Sequence, residues 1–73
     1  MKNFLNKFIY LIVLVGKRPF YYTKAYVTEI TATHISFLDF TDNKEPHTYR
    51  IEDISEIKLS NKVQAKDYEE MEK

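Results

Sequence analysis

The 73 residues carry 11 Lys and Arg against 11 Asp and Glu, 44% apolar and 15% aromatic residues, and no cysteine. A length well below the roughly 100–150 residues of a typical domain leaves room for one small core, which excludes a separate cofactor domain. The absence of cysteine excludes a disulfide framework and a thiolate zinc site, so the core must suffice alone or be extended by oligomerisation. The net charge of zero conceals a segregation. Residues 1–26 hold five cations and no acid, residues 27–57 hold seven acids and two bases, and residues 58–73 balance. Faces of opposite sign suit head-to-tail self-association or an anionic partner, unless the two segments pair within one sheet and neutralise each other.

In chain order, Phe4, Leu5 and Phe8 fall on one side of a short helix predicted over residues 1–8. The run Ile9, Tyr10, Leu11, Ile12, Val13, Leu14, Val15 is apolar at both alternate sets and rich in β-branched residues, as in a strand buried on both faces. A basic start followed by an apolar run also suggests a signal peptide or a membrane anchor over residues 4–15. Against this, Asn6 and Lys7 interrupt the run, it falls short of the roughly 18–20 residues a spanning helix needs, and no small-residue cleavage site follows. The expectation is a first element of the domain, no membrane association and a cytoplasmic location.

Gly16 and Pro19 break the chain before a strand over residues 21–30. In it Thr23, Ala25 and Val27 alternate with an outer set of Tyr22, Lys24, Tyr26 and Thr28. Val27 and Ile30 are three apart, which predicts a bulge or bend between them. After a turn at Thr31, Ala32 and Thr33, residues 34–40 read as a strand with Ile35 and Phe37 on one face and His34, Ser36, Leu38 and Phe40 on the other. A polar turn over residues 41–46 leads to a strand with Tyr49 and Ile51 inward and Thr48 and Arg50 outward. Residues 52–55 suit one helical turn, and a last strand over residues 56–59 brings Ile57 and Leu59 to the core. Residues 60–73 are charged and poor in apolar side chains, a mobile or frayed helical tail after a domain spanning residues 1–59.

Five short strands with tight connections and one helical turn before the last describe an all-β, strongly bent small barrel. This order resembles the SH3-like barrels and, among them, the Sm-like group. The local likeness lies in Ala25, Tyr26, Val27, Thr28, Glu29 and Ile30, in residues 34–39, and in the isoleucine-rich closing segment around Ile51, Ile54 and Ile57. The pattern is similar to small barrel proteins of bacterial and phage genomes. The resemblance implies a self-associating barrel, an accessory protein of a phage or other mobile element, with single-stranded RNA or DNA binding as an alternative. Sm proteins carry glycines in the bent second strand and the closing motif, where this chain has Ala25 and Glu52–Asp53; this argues against ring-type uridine binding.

Catalytic chemistry has few candidates. The only imidazoles, His34 and His47, lie outside recognisable motifs, and with Asp39 or Asp42 they would make a metal site only if their strands brought them together. The adjacent carboxylates Glu52 and Asp53 fit helix-start electrostatics better than acid–base work. A single glycine cannot build a phosphate-cradling loop. No enzymatic activity, cofactor or metal is therefore expected. The segment that suits binding is residues 16–26, where Lys17, Arg18 and Lys24 interleave with Phe20, Tyr21, Tyr22 and Tyr26. Cations beside aromatics suit either a protein contact or phosphates and stacked bases. The predicted binding surface is Lys17, Arg18, Tyr21, Tyr22, Lys24 and Tyr26, on a non-enzymatic, self-associating interaction module. A membrane anchor over residues 4–15 is the remaining alternative.

Overall fold

The computed structural model describes residues 2–72; Met1 and Lys73, the outer ends of the predicted lead and tail, lie outside the described residues. The lead is a single 3₁₀ turn, Lys2–Phe4, rather than a helix reaching residue 8. It is followed by β1 (Phe8–Val15), β2 (Arg18–Ile30), β3 (His34–Asp39), β4 (Glu45–Arg50), a 3₁₀ turn at Ile51–Asp53, β5 (Ile54–Leu59) and the helix α1 (Ala65–Glu72). The strands form one antiparallel sheet in the order β4-β3-β2-β1-β5. The predicted all-β architecture is present. β4 and β5 remain at the two edges and do not pair with each other, so hydrogen bonding does not close the sheet into a barrel.

The β1–β2 hairpin turns through Gly16 and Lys17 alone, with Val15 opposite Arg18. A two-residue hairpin needs a positive φ at its first turn position, and Gly16 supplies it at +66°. Pro19 therefore falls inside β2, which begins at Arg18, rather than in a break before it. It faces Leu14 in a pair next to the hydrogen-bonded Val15–Arg18 pair, where alternation points a missing N–H away from β1, and β3 does not reach that far.

Three bulges bend the sheet. Glu29 follows Val27 in the pairing to β3 with one residue skipped on β2, at the place the apolar spacing indicated. A second lies where Ile9 and Leu11 face Ala25 and Tyr22: three steps on β2 against two on β1. The extra residue reverses the side on which Tyr22 lies, so Tyr22 is in the core and not on the predicted outer face. The third skips Ser55 on β5, between the partners of Ile12 and Val13.

One face of the bent sheet encloses Ile9, Leu11, Val13, Tyr22, Ala25, Val27, Ile35 and Phe37, with Phe4, Ile30, Tyr49, Ile51, Ile54 and Ile57 around them. Burying side chains of this size contributes about 1.5–3 kcal/mol each, which is the main source of stability for so short a chain. The opposite face carries a smaller cluster. Phe8 is buried there among the edges of Tyr26, Phe40 and Tyr68, with centroids 4.8–5.0 Å away. Tyr68 belongs to α1, so the helical form of the C-terminal segment is the one adopted, and it lies on the sheet rather than extending away as a mobile tail. Leu59, expected to close the core with Ile57, instead lies at the β5 edge opposite Ile9 and stays 58% exposed, because β5 has no neighbour on its outer side among the described residues.

Candidate interaction surface

The pairing pattern explains the one place where the apolar run of β1 is left in solvent. β3 pairs with β2 only from Ala25 to Ile30, and β5 pairs with β1 only from Ile9 to Val13. Beyond these limits the β1–β2 hairpin continues as a two-stranded ribbon. Leu14 and Val15 are 42% and 48% exposed, and Phe20 and Tyr21 are 43% and 61% exposed. Residues that face each other across an antiparallel pair share a side. Val13, Phe20, Val15 and Arg18 therefore lie on one face of the ribbon, and Ile12, Tyr21, Leu14 and Pro19 on the other. The expectation that residues 9–15 are buried on both faces holds for Ile9, Leu11 and Val13 on one face, is met in part by the half-buried Tyr10 and Ile12 on the other, and fails for Leu14 and Val15, which outrun their neighbouring strands.

The predicted binding residues separate into three places. Lys17, Arg18 and Tyr21 are exposed on the ribbon, and neither cation forms an ion pair among the described residues. Tyr22 is buried against Phe37, and its hydroxyl shares a 2.5 Å hydrogen bond with that of Tyr49. Burial, then the bond to Tyr49, pushes the Tyr22 phenol above the ordinary tyrosine range. Lys24 and Tyr26 lie under α1. The Lys24 ammonium is 3.1 Å from the Asp67 carboxylate, and Tyr26 packs on Phe8. Asp67 also accepts the Gln64 N–H at 2.9 Å. That backbone bond, helped by Lys24 and opposed by burial, holds the Asp67 carboxyl below the usual carboxylate range.

The two histidines are not brought together. His34 faces Arg50 and His47 faces Phe37, an odd number of steps apart on β3, so their side chains are on opposite faces. His34 is bonded through Nδ1 to the Thr33 hydroxyl at 2.7 Å. His47 is part of β4, which begins at Glu45 within the expected turn, and stacks on Tyr49. Glu52 and Asp53 occupy the 3₁₀ turn as expected, with Glu52 paired to Arg50. Asp39 is engaged by the Thr41 N–H at 3.0 Å and its hydroxyl at 2.6 Å, which fixes the turn after β3. Among the described residues no three His, Asp or Glu side chains are grouped to hold a metal ion. None of the described helices is long and apolar enough to cross a membrane.

Two features of this surface escape strand-by-strand reading. The exposure of Leu14 and Val15 depends on where β3 and β5 end, which no local pattern gives. Lys24 and Asp67 are 43 positions apart, and only the folding back of α1 joins them. Comparison with protein-family models, with curated proteins and with solved structures found no match.

Proposed function

We propose that the protein is a non-enzymatic interaction module, a small bent sheet of SH3-like strand order that binds a protein partner through its hairpin ribbon, and that a second copy of the chain is one such partner. The strand order β4-β3-β2-β1-β5, with a 3₁₀ turn leading into β5, supports the SH3-like assignment. One observation carries the functional part: Leu14, Val15, Phe20 and Tyr21 are exposed together on both faces of a ribbon that no other strand flanks among the described residues. Contiguous apolar side chains on a small soluble surface favour association, and a ribbon apolar on both sides gains most from a partner that covers both. The acidic middle third of a second copy complements Lys17 and Arg18 in charge.

The chain has no cysteine, so Lys17→Cys provides a unique labelling point at the turn. Mixed donor- and acceptor-labelled proteins should show concentration-dependent energy transfer that Leu14→Ser with Tyr21→Ser abolishes. Energy transfer that is absent at every concentration, or unchanged in the double variant, would overturn self-association through the ribbon.

A second reading rests on Lys17 and Arg18, which form no ion pair among the described residues, lying near the exposed Tyr21, which suits single-stranded nucleic acid. It ranks below the first because Lys24, Tyr22 and Tyr26 are engaged elsewhere, leaving two cations for phosphates. Anisotropy of labelled single-stranded RNA and DNA at about 50 and 200 mM salt separates the two, since phosphate contacts weaken steeply over that range. Saturable, salt-sensitive binding lost in Lys17→Glu with Arg18→Glu would favour nucleic acid.

A further inference from the structure

A second surface lies on the opposite face of the sheet, under α1. Phe8, Tyr26 and Phe40 form an aromatic platform there, with Lys24 on one side and Lys44 on the other, its ammonium 5.4 Å from the Phe40 ring. Tyr10 continues the row one pair beyond Phe8, under the Lys58 ammonium at 5.0 Å. Next to it a cavity of about 410 Å³ is lined by Tyr10, Thr23, Lys58 and Lys62 among others. The cations around this face are thus Lys24, Lys44, Lys58 and Lys62, of which Lys58 lies 3.9 Å from the Glu56 carboxylate.

The chain's own helix shows which chemistry this face accepts. Tyr68 sets its ring against Phe8 at 4.9 Å, edge to face; Asp67 meets Lys24 at 3.1 Å and Glu70 meets Lys44 at 3.5 Å. One aromatic anchor with flanking acids on a single helical turn is a small, complete recognition motif. Its hold is uneven: Asp67 is buried beside Lys24, but the rest of the helix is weakly fixed. Eight residues are fewer than an isolated helix needs to be stable in water, Tyr68 stays 42% exposed, and both members of the Lys44–Glu70 pair are exposed.

The helix is attached beyond the point at which the sheet ends. Ser60 donates its N–H to the Phe8 carbonyl at 3.0 Å and its hydroxyl to the Thr23 carbonyl at 2.6 Å, so the end of β5 is fastened before the helix begins.

We propose that the Phe8–Tyr26–Phe40 face is a docking site for an acidic amphipathic helix of a protein partner, and that α1 occupies it as a built-in stand-in which the partner displaces. A longer partner helix would also reach the cavity beside Tyr10, with Lys58 and Lys62, which α1 leaves open. This surface is independent of the hairpin ribbon, and either assignment can fail without the other. The tether places α1 at a high effective concentration, so a free peptide of α1's own sequence binds measurably only where α1 is undocked, whereas a longer partner helix displaces it through the added contacts beside Tyr10.

The test uses the full chain carrying Asp67→Asn with Tyr68→Ser, and as probe a labelled peptide with the sequence of residues 60–73. Saturable binding to the variant, about tenfold or more tighter than to the unaltered protein, is expected from removal of the tethered competitor. Adding Lys24→Glu to the variant should abolish it. Asp67→Lys, which releases the helix and leaves every aromatic side chain in place, serves if the double variant loses its sheet by circular dichroism. A peptide that fails to bind both folded variants overturns the proposal. So does a labelled single-stranded oligonucleotide that binds the variant in preference to the peptide, since it would assign the face to nucleic acid.

Discussion

The two halves of β1 are made of the same kinds of residue and have opposite fates. Phe8, Ile9, Leu11 and Val13 are almost completely buried, whereas Leu14 and Val15, two of the same aliphatic types in the same strand, are more than two-fifths exposed. The difference is not in their own chemistry but in the reach of their neighbours: β5 pairs as far as Val13 and stops. β2 divides in the same way, with Ala25 and Val27 in the core and Phe20 and Tyr21 in solvent. Apolar side chains in the flanked half stabilise the fold, and those in the unflanked half are available to a partner.

This division can be broken from the core side first. Phe37→Ala removes a ring with about 1% exposure that packs on Tyr22. A loss of about 3–5 kcal/mol is expected from such a cavity, read as a fall in the urea midpoint. In a chain this short, that is enough to leave little folded protein at 25 °C. A loss below about 1 kcal/mol would mean that the core is not where the buried face places it.

Tyr22 and Tyr49 sharpen the comparison within the core. Tyr22→Phe keeps the ring and removes the hydroxyl bonded to Tyr49, a change worth about 0.5–1.5 kcal/mol for an ordinary hydrogen bond. Because the folded-state pKa of Tyr22 is raised, the protonated phenol is the form the fold favours. Its contribution is therefore whole below the unfolded tyrosine value of about 10 and is lost as pH rises above it. Tyr22 should resist ionisation until the sheet unfolds, visible as a late, cooperative step in the phenolate absorbance; Tyr22→Phe should remove that step.

On the ribbon the expected effect on stability is the smallest. Phe20→Ser with Tyr21→Ser should shift the unfolding free energy by no more than about 0.5 kcal/mol per site, as for exposed positions without special roles. At α1, Asp67 has a lowered pKa, so its contribution to docking is present above the unfolded aspartate value of about 3.9 and is lost as pH falls below it. Acidification should release Tyr68 from Phe8 before the sheet unfolds, and Asp67→Asn should remove that acid transition. Both are read from the aromatic proton shifts.

Much of the fold was legible because local chemistry and global packing agree. β-Branched and aromatic runs form the strands, the polar cluster after Phe40 forms a turn, and Glu52 and Asp53 sit in a single helical turn. The Val27–Ile30 spacing announced its bulge. The bulge at Thr23 and Lys24 had no such signal, since a tyrosine suits either face of a strand, and it moved Tyr22 from the expected surface into the core. The C-terminal helix was equally hard to place: its aromatic, Tyr68, finds its partner Phe8 only when β1 has taken its place in the sheet. Of the expected binding residues, Lys17, Arg18 and Tyr21 lie on the exposed ribbon, and Tyr22, Lys24 and Tyr26 have structural partners instead.

The most direct test is sedimentation equilibrium over a concentration series for the unaltered protein and for Leu14→Ser with Tyr21→Ser, with urea unfolding of both. Association of the unaltered protein, a monomeric variant and coincident unfolding curves are the results predicted for a ribbon that serves a partner and not the fold. A variant that unfolds much earlier than the parent, or a parent that stays monomeric at every concentration, would contradict that division of β1 and its use in self-association.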